Sequence, residues 1–320
     1  MTEIAVMGGG ALGMLLAGKL GAAGCDVVLW TRSEDQAGTI NREGITVESA
    51  ASELKHVVPV RAIPLREVKP GYRGNVLLTV KQTAVGPALL EFLAKTLAED
   101  GAVTLFQNGV GHVEPAAAAL PGRRLLAAVT TEGALRTGTA SVRHTGSGQT
   151  WIGSPSGAAG EAAGSAEHDE TLIQMMEQAG FSVFMSNNIR ERMLRKLLIN
   201  AVINPLTAIW RVTNGELTAT SGRQAVMEAL FRETAHILQR TGLSGTDSSE
   251  LWNSVLAVCS ATSANRSSML QDVLNGRETE IDALNGAVCR LAESAKIEAP
   301  LNAALTVLVK GIRSPEERKV

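Results

Sequence analysis

The first third of the chain alternates short apolar runs of β type with longer helical stretches, at residues 4–7, 12–23, 27–30, 76–80, 88–98 and 103–106. That alternation predicts βαβ units packed on a parallel sheet. From about Arg124 the texture changes: strand-like pieces at 125–131, 141–144 and 150–152, separated by Gly-rich turns, predict hairpins appended to the sheet. Residues 154–168, SPSGAAGEAAGSAEH, are nearly all small or polar and read as a surface loop with nothing to bury. A helix at 170–179 and an apolar run at 181–185 follow, and everything beyond Asn188 reads as helix: 189–203, 223–240, 249–271, 279–296 and 301–310. The boundary near Asn187 and Asn188 predicts an α/β domain over 1–187 and an all-helical domain over 188–320. No internal repeat at solenoid periods is visible.

Composition narrows the function. A chain of 320 residues with 45% hydrophobic and 19% charged positions is long enough for two domains with real cores, so disorder is not the default. Thirty basic against 32 acidic residues give a formal charge of −2, and no global field draws the protein to nucleic acid or an anionic membrane. Aromatic content of 3% leaves few stacking platforms for single strands. Cys25, Cys259 and Cys289 are odd in number and lack CxxC spacing, which argues against a disulfide scaffold or a zinc ribbon and fits reduced thiols in the cytoplasm. Met1-Thr2-Glu3 leads straight into a strand without a basic n-region, and 18 uninterrupted apolar residues occur nowhere; the chain reads as soluble and unexported.

Gly8-Gly9-Gly10-Ala11-Leu12-Gly13 satisfies GxGxxG with a strand directly before it and an apolar helix directly after it, the context a Rossmann-type dinucleotide site requires. Gly8 permits the tight turn, Gly10 lets the backbone approach a pyrophosphate, Gly13 allows close helix–strand contact, and the helix N-terminus offers free N–H groups. A Gly-rich turn without a ligand is the bland alternative. At the end of the second strand, where NAD-binding units carry Asp or Glu, this chain has Trp30-Thr31-Arg32-Ser33. A guanidinium matches a phosphate bidentately where a carboxylate would repel it, so Arg32 points to NADP(H) rather than NAD(H). Against this stand Glu34 and Asp35 close by, which leave a surface arginine with no ligand as the other reading.

The apolar stretch 189–203 carries Lys196 and Asn200, with Asn204 just beyond, spaced i, i+4, i+8 on one stripe. Amides and an amine amid Leu197, Leu198, Ile199, Val202 and Ile203 are costly to bury without partners, which favours a polar cleft. Spacing alone equally allows a lysine that snorkels from a core helix while the asparagines cap loops. Pro205 predicts a bend or an end at Asn204. Other chemistries find no support: no HExxH, no GxSxG elbow and no Cys/His pair with metal-ligand spacing, so the expected site holds no metal.

The segment 196–208, KLLINAVINPLTA, closely resembles the signature helix of the ketopantoate reductase (2-dehydropantoate 2-reductase) family. The likeness extends over nearly the whole chain. It includes GGGALG, Lys81 after LLTV, NGVG from Asn108, NGEL from Asn214, NRSSMLQD from Asn265 and RETEID from Arg277, in the family's order. The resemblance implies a Rossmann-type domain, an all-helical domain, a site in the cleft between them, and NADPH-dependent reduction of 2-dehydropantoate to pantoate on the way to pantothenate. Carried over by position, it makes Lys196 the catalytic lysine and Glu280 its acidic partner at the substrate hydroxyls. It places Ser268 and Asn265 near the substrate carboxylate, Asn200, Asn204 and Asn214 around the substrate, Asn108 near both nicotinamide and substrate, and Lys81 on the cofactor side.

The chemistry is coherent with those roles. Hydride delivered to a 2-oxo carbon leaves an alkoxide; an ammonium within hydrogen-bond reach polarises the carbonyl and supplies the proton, and a nearby carboxylate keeps the amine charged by raising its pKa. Without the resemblance RETEID reads as a solvated helix face, and Ser268 as a surface or back-bonded hydroxyl. Two alternatives stay open: a paralogue reducing another 2-oxo acid, and an NADPH-binding protein without catalysis. An apolar helical face in the C-terminal half can be buried within one subunit or between two, so a homodimer is one outcome.

Overall fold

The computed structural model describes residues 3–49, 55–155, 165–245 and 247–312. It divides into two compact units, one of residues 1–107 with 112–189, the other of residues 108–111 with 190–320. The chain therefore enters the second unit briefly, through the NGVG turn, long before its helices begin.

In the first unit, β1 (Ile4–Met7), α1 (Ala11–Ala22), β2 (Val27–Thr31) and α2 (Glu34–Glu43) open the expected alternation. Then come β3 (Ile45–Ser49), β4 (Lys55–Val58), β5 (Arg61–Pro64), β6 (Asn75–Leu78), α3 (Pro87–Thr96), β7 (Ala102–Leu105) and α4 (Val113–Ala119). After them run β8 (Arg124–Thr130), β9 (Gly133–Arg136), β10 (Ser141–Gly146), β11 (Gln149–Gly153), α5 (Ser165–Gln178) and β12 (Ser182–Met185). The main sheet has the order β12-β11-β8-β7-β6-β1-β2-β5, and the six strands from β8 to β5 are parallel. Chain order reverses beside β1, so the turn after β1 lies at the topological switch point where such sheets bind ligands. The fold is thus Rossmann-like, as the sequence predicts.

Three details differ from the sequence reading. β8 is not part of a hairpin; it is the sixth parallel strand, and β11 returns antiparallel against it. The hairpin β9–β10 leaves the main sheet and pairs with β3 and β4 in a second sheet of order β4-β3-β10-β9. That sheet covers α1: Val47, Val58, Ala140 and Val142 join Met14, Leu15 and Leu20 in one core, and a Cβ on Gly18 would collide with Val47. Of the predicted loop 154–168, residues 156–164 lie outside the described residues, and α5 begins at Ser165, before the predicted 170. The other face of the main sheet buries Trp30, Leu90, Leu93 and Leu120, with the Trp30 ring meeting Tyr72 edge-on at 5.0 Å.

The second unit holds α6 (Ile189–Trp210), α7 (Ser221–Arg240), α8 (Ser248–Ala261), α9 (Ser268–Leu274), α10 (Asn285–Ser294) and α11 (Pro300–Lys310) around its own core of Leu197, Leu198, Val202, Leu230, Phe231 and Val288. The stretch 249–271 is two helices, not one. Thr262 ends α8, its hydroxyl back-bonding to the Val258 carbonyl at 2.6 Å, and Ser267 caps α9 by accepting from the Leu270 N–H at 3.0 Å. The first six residues of the predicted helix 279–296 form a turn, so Glu280 precedes α10 rather than sitting on it. α6 runs seven residues past the predicted end, through Pro205, which neither ends it nor terminates its core face. Among the described residues no helix is long and apolar enough to cross a membrane.

Candidate active site

The turn after β1 is shaped by its neighbours within the first unit. Gly8 has φ +124°, and a Cβ on Gly13 would overlap the Gly8 carbonyl oxygen, so both positions require glycine. Thr79 closes this approach by donating to the carbonyls of Met7 and Gly8, each at 3.1 Å. Gly10 caps α1 without a side-chain hydrogen bond, and a Cβ there would meet nothing within 4 Å among the described residues. Ala11, Leu12 and Gly13 thus supply first-turn N–H groups next to open space, which fits the pyrophosphate of a dinucleotide.

Two residues that sequence reasoning missed hold this turn. The buried Gln36 donates from Nε2 to the Gly9 carbonyl at 2.8 Å and to the Thr139 carbonyl at 3.0 Å, and a Cβ on Gly9 would run into its amide. Arg136, the last residue of β9, donates to the same Gly9 carbonyl at 3.3 Å while its Nε is held by the Gly138 carbonyl at 2.9 Å. No local sequence pattern announces either; both depend on the second sheet meeting α1. Arg32 stands exposed at the end of β2, and Glu34, which argued against it, is engaged by Arg66. Lys81 is partly buried three residues past the end of β6, at the start of a short 3-10 turn.

In the second unit the site is built on α6. Lys196 and Asn200 are partly buried and Asn204 is buried. Loss of hydration pushes the Lys196 amine down to about 8, and the Glu280 carboxylate pushes the other way without prevailing. The carboxylate acts in the anticipated direction, yet the net shift is downward because desolvation is the larger effect. Glu280 is also tied to the NGVG turn: Asn108 donates from Nδ2 to its Oε2 at 3.1 Å. Gly109 and Gly111, at φ +82° and +93°, let that turn reverse tightly behind Asn108.

The remaining candidates divide. Asn204 is linked to the start of α9, because the Thr207 hydroxyl donates to the Asn204 carbonyl at 2.9 Å and lies 2.7 Å from the Ser267 hydroxyl. Ser267 is therefore the buried serine of the NRSSM segment, whereas Ser268 and Asn265 are exposed. Asn214 is buried and serves its own turn: its N–H donates to the Asn265 carbonyl at 3.0 Å and its Nδ2 to Thr262 Oγ1 at 2.9 Å. Ser267 could have been found as a Ser immediately before an apolar helical run.

A glycine-opened helix start on a parallel sheet, carried in one chain with an amine and a carboxylate that sense each other in a helical unit, equips a nicotinamide-dependent oxidoreductase. Family profiles narrow the class. The one described as ketopantoate reductase PanE/ApbA matches residues 4–157, and that of its C-terminal part matches 188–313. The chain belongs to the ketopantoate reductase family. It is 33% identical to the 2-dehydropantoate 2-reductase of Archaeoglobus fulgidus over 98% of both chains. It is 34% identical to that of Vibrio cholerae over 96% of this chain and 97% of the other. Among solved structures, the PanE/ApbA family ketopantoate reductase of Ralstonia eutropha JMP134 superposes with a TM-score of 0.85 at 27% identity, over 97% of this chain and 98% of that one. A D-mandelate dehydrogenase solved with NADH and anilino(oxo)acetate shares the fold, with a TM-score of 0.87 at 23% identity over 97% and 98% of the two chains.

Proposed function

We propose that this protein reduces 2-dehydropantoate to pantoate with NADPH, with Lys196 as the general acid. The observation that carries the reading is the bond from Asn108 Nδ2 to the Glu280 carboxylate at 3.1 Å, the same carboxylate whose charge acts on the Lys196 amine. When bound, the reduced nicotinamide supplies the hydride. Lys196 polarises the 2-oxo group and gives its proton to the oxygen that becomes the hydroxyl. An amine at about 8 suits proton donation, being mostly protonated at neutral pH yet releasing a proton far more readily than an ordinary lysine. Glu280 keeps the amine from losing its charge altogether and accepts from a substrate hydroxyl, while Asn108 fixes the carboxylate's orientation. Asn200, Asn204, Asn265 and Ser268 supply donors and acceptors to the substrate's carboxylate and hydroxyl. Asn214 steadies the turn around them through its Nδ2 bond to Thr262 and offers its Oδ1 to the substrate. Gly8, Gly9, Gly10, Ala11, Leu12 and Gly13 bind the pyrophosphate, Arg32 the 2′-phosphate, and Lys81 supports the cofactor end of the site.

The test is a panel of 2-oxo acids that includes 2-dehydropantoate and an aromatic member, each followed by oxidation of NADPH and of NADH. The reading anticipates the highest kcat/KM for 2-dehydropantoate with NADPH. A higher value for the aromatic acid reassigns the substrate, and absence of turnover with every acid rejects catalysis.

A further inference from the structure

α6 passes through Pro205 without ending, and the way it does so involves a residue outside the site described above. Proline has no N–H, so the carbonyl four residues earlier, that of Ala201, loses its helical donor. Asn285 replaces it, its Nδ2 donating to the Ala201 carbonyl at 2.9 Å. The same Nδ2 donates to Asn302 Oδ1 at 2.9 Å. Asn302 is fixed in turn from α7: its Nδ2 donates to Glu233 Oε1 at 2.9 Å and to Thr234 Oγ1 at 3.0 Å. Its backbone N–H reaches Glu233 Oε1 at 2.8 Å, and that of Leu301 reaches Oε2 at 3.0 Å. Asn285, Asn302 and Thr234 are fully buried.

Packing alone does not account for this chain of bonds. The buried Asn285 Oδ1 has no hydrogen-bond partner among the described residues, so the amide is retained at a desolvation cost that an aliphatic side chain would avoid. What the amide joins explains its presence. Ala201 follows Asn200 directly and lies five residues beyond Lys196; Asn285 lies five residues beyond Glu280. The intervening turn is closed by bonds from the N–H groups of Ala283 and Leu284 to the Glu280 carbonyl, at 3.0 and 3.1 Å, and from Gly286 to Ile281 at 3.0 Å. The Asn285–Ala201 bond is therefore a cross-link between the element that carries the amine and the element that carries the carboxylate.

We propose that Asn285 is a positioning residue: by bonding the carbonyl that Pro205 orphans, it sets the separation of Lys196 and Glu280. The proposal rests on the reading of Lys196 as proton donor and Glu280 as its partner. It has a sharp test, because Pro205→Ala returns an N–H to the helix and makes the Asn285 amide dispensable for Ala201. Asn285→Leu in the full chain should lower kcat by about 10- to 100-fold, since a displacement near 1 Å at reacting groups has that effect. It should also move the basic limb of the pH profile of kcat/KM and leave the NADPH Kd, measured by fluorescence titration, unchanged. The double variant Pro205→Ala/Asn285→Leu should recover to near the Pro205→Ala value.

Normal kcat and pH limb in Asn285→Leu, or no recovery in the double variant, overturns the proposal. So does a fall in Tm as the sole effect, which would make the network merely structural. Should Asn285→Leu not fold, Glu233→Gln weakens the far end of the relay; a several-fold loss of kcat at unchanged NADPH Kd supports the role, and unaltered kcat overturns it. Wild-type protein that turns over no 2-oxo acid rejects the functional reading. An active wild type with an unaffected Asn285→Leu rejects the positioning role alone.

Discussion

Loss of hydration lowers the proton affinity of Lys196, and the Glu280 carboxylate limits the fall. The two effects oppose, and their balance is measurable. With Lys196 as the proposed general acid, kcat/KM should be level below about pH 7 and fall through a midpoint near 8. Lys196→Ala should remove that limb and reduce kcat by about 10² to 10⁴ while the NADPH Kd survives; near-normal turnover would take the lysine out of the mechanism. Glu280→Gln removes the influence that holds the amine up, so the limb should move to lower pH, and a limb that stays put or rises would show the two groups to be uncoupled. The residue types of this pair are legible in the sequence only through a family likeness. The i, i+4, i+8 stripe of Lys196, Asn200 and Asn204 is visible from spacing, but nothing in the spacing says that a residue 84 positions after Lys196 faces it.

Elements are legible where one local rule governs them and illegible where a distant partner does. The βαβ alternation and GxGxxG are local, and the structure contains both. Residues 45–49 and 55–58 mix Glu48, Lys55 and His56 with valines, and they form strands where β10 supplies the other half of a sheet over α1. Pro205 reads as a bend or an end because its effect on its own helix is local, whereas its remedy, the Asn285 amide, comes from α10. The apolar periodicity of 249–271 runs straight through a break that Thr262 and Ser267 create; their hydroxyls, not the hydrophobic pattern, mark where the helix stops and restarts. The Gly13 position gives the element-scale prediction. A methyl there meets the Gly8 carbonyl and Thr79, so α1 must move away from β1 to admit it. Gly13→Ala should weaken NADPH binding at least roughly tenfold by titration, with substrate KM at saturating cofactor little changed; wild-type cofactor affinity would show that the close approach is not needed.

At the scale of the whole molecule, stability responds to cofactor and to protons at separate places. Binding to the native state alone stabilises by about 2.7 kcal/mol at a ligand concentration one hundred times Kd, so NADPH should raise the Tm more than equimolar NADH if Arg32 reads the extra phosphate. Arg32→Ala should leave the Tm of the free protein unchanged, since the side chain is exposed, and should equalise the two cofactors. A persistent NADPH advantage would move the phosphate contact elsewhere. Protons act through His112, which precedes α4 and is buried with neither ring nitrogen hydrogen-bonded among the described residues. Burial pushes it down to about 4, and the Glu114 carboxylate only partly opposes this. The native imidazole is neutral, while the unfolded chain takes up a proton near pH 6.5. The unfolded state therefore binds more protons between about 6.5 and 4, and the stability that His112 contributes is complete above that window and lost as pH falls through it. By pH 5 the loss relative to its value well above pH 6.5 is about 2 kcal/mol, at about 1.36 kcal/mol per pH unit once the unfolded histidine is mostly protonated. His112→Leu should accordingly flatten the acid side of the stability profile in urea unfolding between pH 7 and 5, whatever it does to stability at pH 7.5. Profiles of equal slope would mean that the ring finds a proton acceptor in solution.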